Sequence, residues 1–160
     1  MIIRVMQETD IQELAILGKQ LLDIHTTFDS MYYTLEENFT TLFSDWLRNQ
    51  LSASSQIVFV AEEGSGNSKG EIIGFISGFI KSLYPWFKVK AVGHVSYLVV
   101  DHKYRKQHIG KQLEVALTSW FCKKGVSYIE VYTDEKNQIG VYAWSSYGYE
   151  PFKKYLRKRI

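Results

Sequence analysis

Residues 92–120 constrain this chain more than any other stretch. The run Val-Gly-His-Val-Ser-Tyr-Leu-Val-Val ends in a wholly apolar trio, Leu98, Val99 and Val100, as a strand buried on both faces does. A basic turn with Lys103, Arg105 and Lys106 follows. From Ile109 the apolar positions take helical spacing at Leu113, Ala116, Leu117, Trp120 and Phe121, and the helix should stop near Gly125. A central strand feeding a helix through a short turn implies a sheet with a helix on one face. The first N–H groups of that helix have no partner within it, and its dipole adds roughly half a positive charge there. Beside Lys103, Arg105, Lys106 and Lys111 this makes a cradle for phosphate or pyrophosphate, or more plainly a solvated basic turn.

The other elements follow from period and punctuation. Residues 2–6 read as a first strand. Thr9 or Asp10 can cap a helix carrying Ile11, Leu14, Ala15, Leu21 and Leu22. Thr34 with Glu37 three residues on has the form of a capping box, opening a helix with the stripe Phe39, Leu42, Phe43, Trp46 and Leu47. Residues 57–61 and 71–80 are strand-like, joined by the Gly/Ser/Asn-rich hairpin loop 63–70, and residues 84–87, with Pro85, give a second hairpin connection. Residues 127–133 alternate as a strand, 138–146 fit a short helix, and Tyr149 onward reads as a final strand pair. The order β-α-α-β-β-β-α-β-α-β, without linker or repeat, predicts a single α/β (α+β) domain over residues 1–160.

Composition removes several classes. With 46% hydrophobic and 22% charged residues the chain is globular, and a net charge of +2 gives no case for a nucleic-acid partner. The basic end, Lys153, Lys154, Arg157, Lys158 and Arg159, reads as the solvated face of a last strand. The one cysteine, Cys122, allows no internal disulfide, and its neighbours Trp120 and Phe121 suggest an inert, buried helix position. No apolar run approaches the roughly 20 residues of a membrane span, and no secretory signal opens the chain, so a cytoplasmic location is expected. Arg105 and Gln112 stand where a P-loop needs Gly and Ser/Thr, and no G-x-S-x-G elbow occurs. His25, His94, His102 and His108 lack metal-ligand spacing, so no metal is expected.

The stretch after the apolar trio resembles motif A of the GCN5-related N-acetyltransferases, Arg/Gln-x-x-Gly-x-Gly/Ala. Arg105, Ile109 and Gly110 match, Tyr104, Lys111 and Leu113 are typical, and His108 takes the first glycine position. Downstream, Asn137, Gly140, Trp144, Gly148 and Tyr149 resemble the family's Asn-x-x-Ala-x-x-x-Tyr-x-x-x-Gly-Phe block, with Gly140 for alanine, Trp144 for tyrosine and Tyr149 for phenylalanine.

The resemblance implies a mixed, mostly antiparallel sheet whose central parallel strands, 92–100 and 127–133, splay apart, flanked by about four helices. It implies acetyl-CoA as co-substrate, its pantetheine arm along Leu98, Val99 and Val100, and its pyrophosphate on Arg105, Lys106, Gln107, His108, Ile109, Gly110 and Lys111, with Asn137 nearby. An acceptor amine, of a small molecule or a peptide, would attack the thioester directly. His94 falls near the family's general base, and is either that base or a structural histidine; a water relay is a third route. Tyr147 is either a substitute for the missing acid at Trp144 or core. The acceptor side would draw on His25, Phe28, Asp29, Tyr32, Tyr33, Tyr84, Trp86 and Phe87, which suit a cationic amine, ordinary packing or a homodimer surface. A catalytically silent acyl-CoA-binding module is the alternative to an enzyme.

Overall fold

The computed structural model describes residues 1–64 and 70–160. Five strands, β1 (Ile2–Val5), β2 (Gln56–Glu63), β3 (Glu71–Ser82), β4 (Ala91–Val100) and β5 (Ile129–Val131), form one sheet in chain order. The first four are antiparallel neighbours and β5 lies parallel to β4. A parallel pair needs a crossover, here supplied by helix α3 (Ile109–Lys123). Helices α1 (Ile11–Phe28) and α2 (Phe39–Ser52) precede β2, and α4 (Gln138–Ser146) follows β5. This is the mixed α/β fold the sequence predicts. Among the described residues no helix is long and apolar enough to cross a membrane.

The sheet divides the core in two. Leu14 and Leu17 of α1 and Phe43 and Leu47 of α2 pack on Val58, Val60, Phe75 and Val99. On the opposite face Ile109, Leu113, Leu117 and Phe121 of α3 cover Ala61, Ile73, Ile76 and Val95. The four α3 residues recur every fourth position, which keeps them on one stripe. Cys122 lies about 100° from that stripe, and it is exposed, not buried as its neighbours suggested.

Several local expectations are corrected. Asp10 starts α1 but turns its carboxylate back, accepting from Gln7 N at 2.8 Å and pairing with Arg4 at 2.6 Å, which ties β1 to the helix. The Thr34–Glu37 capping box is absent: Thr34 Oγ1 donates to Ser30 O, and α2 begins only after Asn38. β5 is shorter than 127–133. Residues 147–160 form no helix or strand, so the expected final strand pair is not present. Pro151 removes a ladder donor there, and the cations at 153, 154, 157, 158 and 159 repel one another. The 63–70 loop joins two antiparallel strands as a hairpin should, but most of it lies outside the described residues.

Candidate active site

A bulge in β4 shapes the site. Tyr97 pairs with Ser77 and Val95 with Gly78, so Ser96 is an extra residue on β4. The bulge resets the alternation of faces: Val95 and Leu98, an odd number of positions apart, both join the α3-side core. The ladder to β5 covers Gly93, His94 and Val95 and ends where the bulge begins. Among the described residues no strand pairs with Tyr97, Leu98, Val99 or Val100 on the β5 side, so beyond the bulge that edge of β4 has no strand partner, and the gap there is the candidate cleft.

The turn leaving β4 is fixed from several sides. Asp101 accepts from Lys103 N at 2.9 Å and from Gln20 Nε2 at 3.0 Å, Tyr104 Oη donates to Glu71 at 2.8 Å, and Arg105 Nε donates to Val100 O at 3.2 Å. Lys106 (φ 63°) and His108 (φ 59°) are left-handed, a conformation that costs a non-glycine residue roughly 1–2 kcal/mol. His108 therefore occupies a backbone position that glycine fits best, which is why the motif carries glycine there. It is the N-cap of α3, yet makes no capping bond. The first amides of α3 and the exposed cations Lys103, Arg105 and Lys106 thus flank the mouth of the cleft.

Tyr147 reaches this helix start from the end of α4. A Cβ built on Gly110 would lie 2.7 Å from Tyr147 Oη and 3.8 Å from Leu98, so the absence of a side chain at 110 makes room for the phenol. Burial, with Glu114 adding to it, holds the Tyr147 phenol above its usual range. Glu114, which sequence reasoning did not single out, is only 5% exposed. It accepts from Lys111 Nζ at 2.9 Å and Thr118 Oγ1 at 2.7 Å, and Tyr149 Oη donates to it at 3.4 Å. Its signal was the spacing Lys111, Glu114, Thr118 at the edge of an otherwise apolar stripe. Asn137 caps α4 through Oδ1, 3.0 Å from Gly140 N, and a Cβ at Gly140 would collide with its amide. Trp144 packs on the α3-side core and edge-on to Tyr147.

His94 faces the other way. Gly93 is crowded by Phe121 on the α3 side, so His94 points to the α1–α2 side, 8% exposed, between Phe79 and Tyr132. Burial lowers its pKa first and Lys81 lowers it further, against an opposing contribution from Glu130. Its Nδ1 has no hydrogen-bond partner among the described residues. Lys81 Nζ donates to Tyr132 Oη at 3.1 Å and pairs with Glu130 at 3.4 Å.

Of the expected acceptor residues, His25, Phe28, Tyr32 and Tyr33 gather at the end of α1. Tyr33 Oη donates to Asp134, after β5, at 3.0 Å. Tyr84 and Trp86 stack at the exposed tip of the β3–β4 turn, with Phe87 tilted against both.

The acetyltransferase (GNAT) family model matches residues 19–149, which spans β4, the bulge and both ends of the cleft. The chain belongs to that family. The GNAT fold is shared with the BH1408 protein of Bacillus halodurans, at TM-score 0.86 and 21% identity over 100% of both chains. It is shared also with the aminoglycoside N-acetyltransferase AAC(6')-Iy, solved with a CoA bisubstrate analogue, at TM-score 0.73 and 22% identity over 99% of this chain and 98% of that one. A predicted acetyltransferase of Clostridium acetobutylicum, solved with acetyl-CoA, matches at TM-score 0.75 and 16% identity over 99% and 95%. Among curated proteins none matches this GNAT chain significantly.

Proposed function

We propose that this chain is a single-domain, cytoplasmic N-acetyltransferase that takes acetyl-CoA as donor and transfers the acetyl group to a primary amine by direct attack. One observation carries the reading: the β5-side edge of β4 is open from the bulge onward and runs straight to the uncapped start of α3. An extended amide-bearing arm fits that edge as an added strand, and a pyrophosphate fits the helix start. Leu98, Val99 and Val100 would hold the arm. Arg105, Lys106, Gln107, His108, Ile109, Gly110 and Lys111 would hold the phosphates through main chain and charge, with Asn137 fixing α4 beside them. The CoA complexes of GNAT neighbours support acetyl-CoA as the ligand.

Acetyl-CoA supplies an acyl thioester, whose C–S bond breaks as the C–N bond of the amide forms. The acceptor must lose one proton to present a free amine, and the thiolate gains one, balanced by the further proton that the nitrogen sheds as the amide forms. His94, kept neutral by burial, has a basic nitrogen to take the first. Tyr147, whose phenol retains its proton at neutral pH, is the donor for the second, since the indole N–H of Trp144 is not acidic enough for that task. The amide of Leu98 or of Val99 would stabilise charge developing on the carbonyl oxygen.

The test pairs calorimetric binding of acetyl-CoA with thiol release across a panel of amines. Binding with turnover of at least one amine is expected. Absence of binding at millimolar acetyl-CoA contradicts the cofactor assignment. Binding with no turnover selects the silent module, a reading favoured by one observation, the packing of Trp144 into the core where the family places a tyrosine.

A further inference from the structure

We propose that Asp29 and Tyr32 form a cation subsite on the acceptor side, occupied here by the chain's own Arg157, and that the acceptor is an amine carrying at least one further cationic group. The inference rests on the acetyltransferase reading and narrows its substrate class.

Arg157 Nη2 donates to Asp29 Oδ2 at 2.7 Å, and its guanidinium carbon stands 4.5 Å from the centroid of the Tyr32 ring. A carboxylate in the plane of a cation with an aromatic face against it is the combination that recognises ammonium and guanidinium groups. The cage is braced independently of its occupant. Tyr32 N donates to Asp29 Oδ1 at 3.1 Å, Tyr32 meets Tyr33 edge-on at 5.0 Å, and Tyr33 is tied through its hydroxyl to Asp134. Asp29 keeps 29% of its side chain exposed, so solvent and solutes reach it.

Two further observations connect the cage to the cleft and make its occupant replaceable. Tyr155 stacks on Tyr132 at 5.6 Å, and Tyr132 stands 4.8 Å from His94. Arg157 is two residues beyond Tyr155, a separation that extended chain spans in about 7 Å at most. Tyr155 and Tyr132 thus link the segment bearing Arg157 to His94, and the cage, at the end of α1, lies on the face of the sheet to which His94 points. The segment bearing Arg157 adds no strand to the sheet. Side-chain contacts from exposed cations hold it, Arg157 to Asp29, Lys153 to Glu130 at 3.7 Å and Arg159 Nη1 to Met31 Sδ at 3.6 Å, and such contacts exchange readily with a competing cation.

Spermidine is the probe, titrated calorimetrically onto the full chain without acetyl-CoA. Thiol release is followed separately with acetyl-CoA and either spermidine or butylamine, which has one cation only. Arg157→Gln should bind spermidine about three- to tenfold more tightly, because the internal competitor is gone, and Asp29→Asn should weaken it by a similar factor. Arg159→Gln, which removes the same charge from the same segment, should match wild type. Melting curves check that all three variants fold. An unchanged or weaker affinity in Arg157→Gln, or an equal gain in Arg159→Gln, overturns the subsite. Turnover of butylamine without the calorimetric order leaves the acetyltransferase reading standing and this one fallen. The calorimetric order without thiol release from either amine keeps the cation subsite and overturns the assignment of such an amine as the acceptor.

Discussion

The two walls of the cleft are made of different material. The wall of β4 and α3 offers main chain: an unpaired strand edge, the first amides of a helix, and a position, Gly110, where a side chain would collide. The wall of β5, α4 and the residues after it offers side chains: Tyr132, on which His94 leans from β4, Tyr147 at the end of α4, and Arg157 in its cage. Main chain binds what is constant, a phosphate or an amide-bearing arm, whatever the local sequence. Side chains bind what varies, and each can be replaced without disturbing the fold. The β4–α3 wall should therefore fail through backbone changes and affect cofactor binding, while the opposite wall should fail residue by residue and affect turnover.

The largest expected effect is on the side-chain wall. His94→Gln should lower turnover about 100-fold near neutral pH with acetyl-CoA affinity unchanged, the usual scale of a lost general base. A pH series sharpens this. Folding lowers the His94 pKa from its ordinary 6.5, so below that pH the unfolded chain binds more protons than the folded one. The stability of neutral, buried His94 is then complete above about pH 6.5 and is lost as pH falls through the folded value. Melting temperature should fall less on acidification in His94→Gln than in wild type. Equal falls would mean that His94 is not buried as a neutral group.

Next in size is Gly110→Asp on the main-chain wall. A carboxylate at a helix start opposes a bound phosphate, and its Cβ must push Tyr147 aside. Acetyl-CoA affinity should drop about 30-fold, the equivalent of ~2 kcal/mol. Cys122→Ala and Arg159→Ala are the controls and should leave it unchanged. A smaller effect, about tenfold on turnover with little change in acetyl-CoA affinity, is expected for Tyr147→Phe if its phenol protonates the leaving thiolate. Smallest is His108→Gly. Relief of left-handed strain should offset the added chain entropy, leaving stability level or up to about 1 kcal/mol higher, whereas glycine in place of a residue with ordinary backbone costs stability. Loss of stability in His108→Gly would mean that the left-handed turn is not strained.

The same division governs what the sequence could reveal. The β4–α3 wall was legible because an apolar trio, a basic turn and a helical period are local patterns, and a motif of consecutive residues reports a main-chain shape. Even there the bulge at Ser96 was invisible: β4 carries no glycine or proline at it, and Gly78 stands opposite only through the register between β3 and β4. Across the cleft, Glu114 meets Tyr149 and Asp29 meets Arg157, partners far apart in the chain whose pairing no periodicity encodes. Residues 149–160 alternate enough to suggest strands. Whether they pair depends on β5, which is too short to template them. Cys122 shows the value of phase over neighbourhood, because adjacency to Phe121 in a helix places it on a different face.

The claim that the open edge of β4 and the start of α3 are one binding surface is tested most directly by amide hydrogen exchange with and without saturating acetyl-CoA. Added protection is expected at Tyr97–Val100 and 108–111, with little change along β1 and β2, which are remote from the cleft. Saturable binding that leaves both segments unprotected, or protects only one of them, would contradict it.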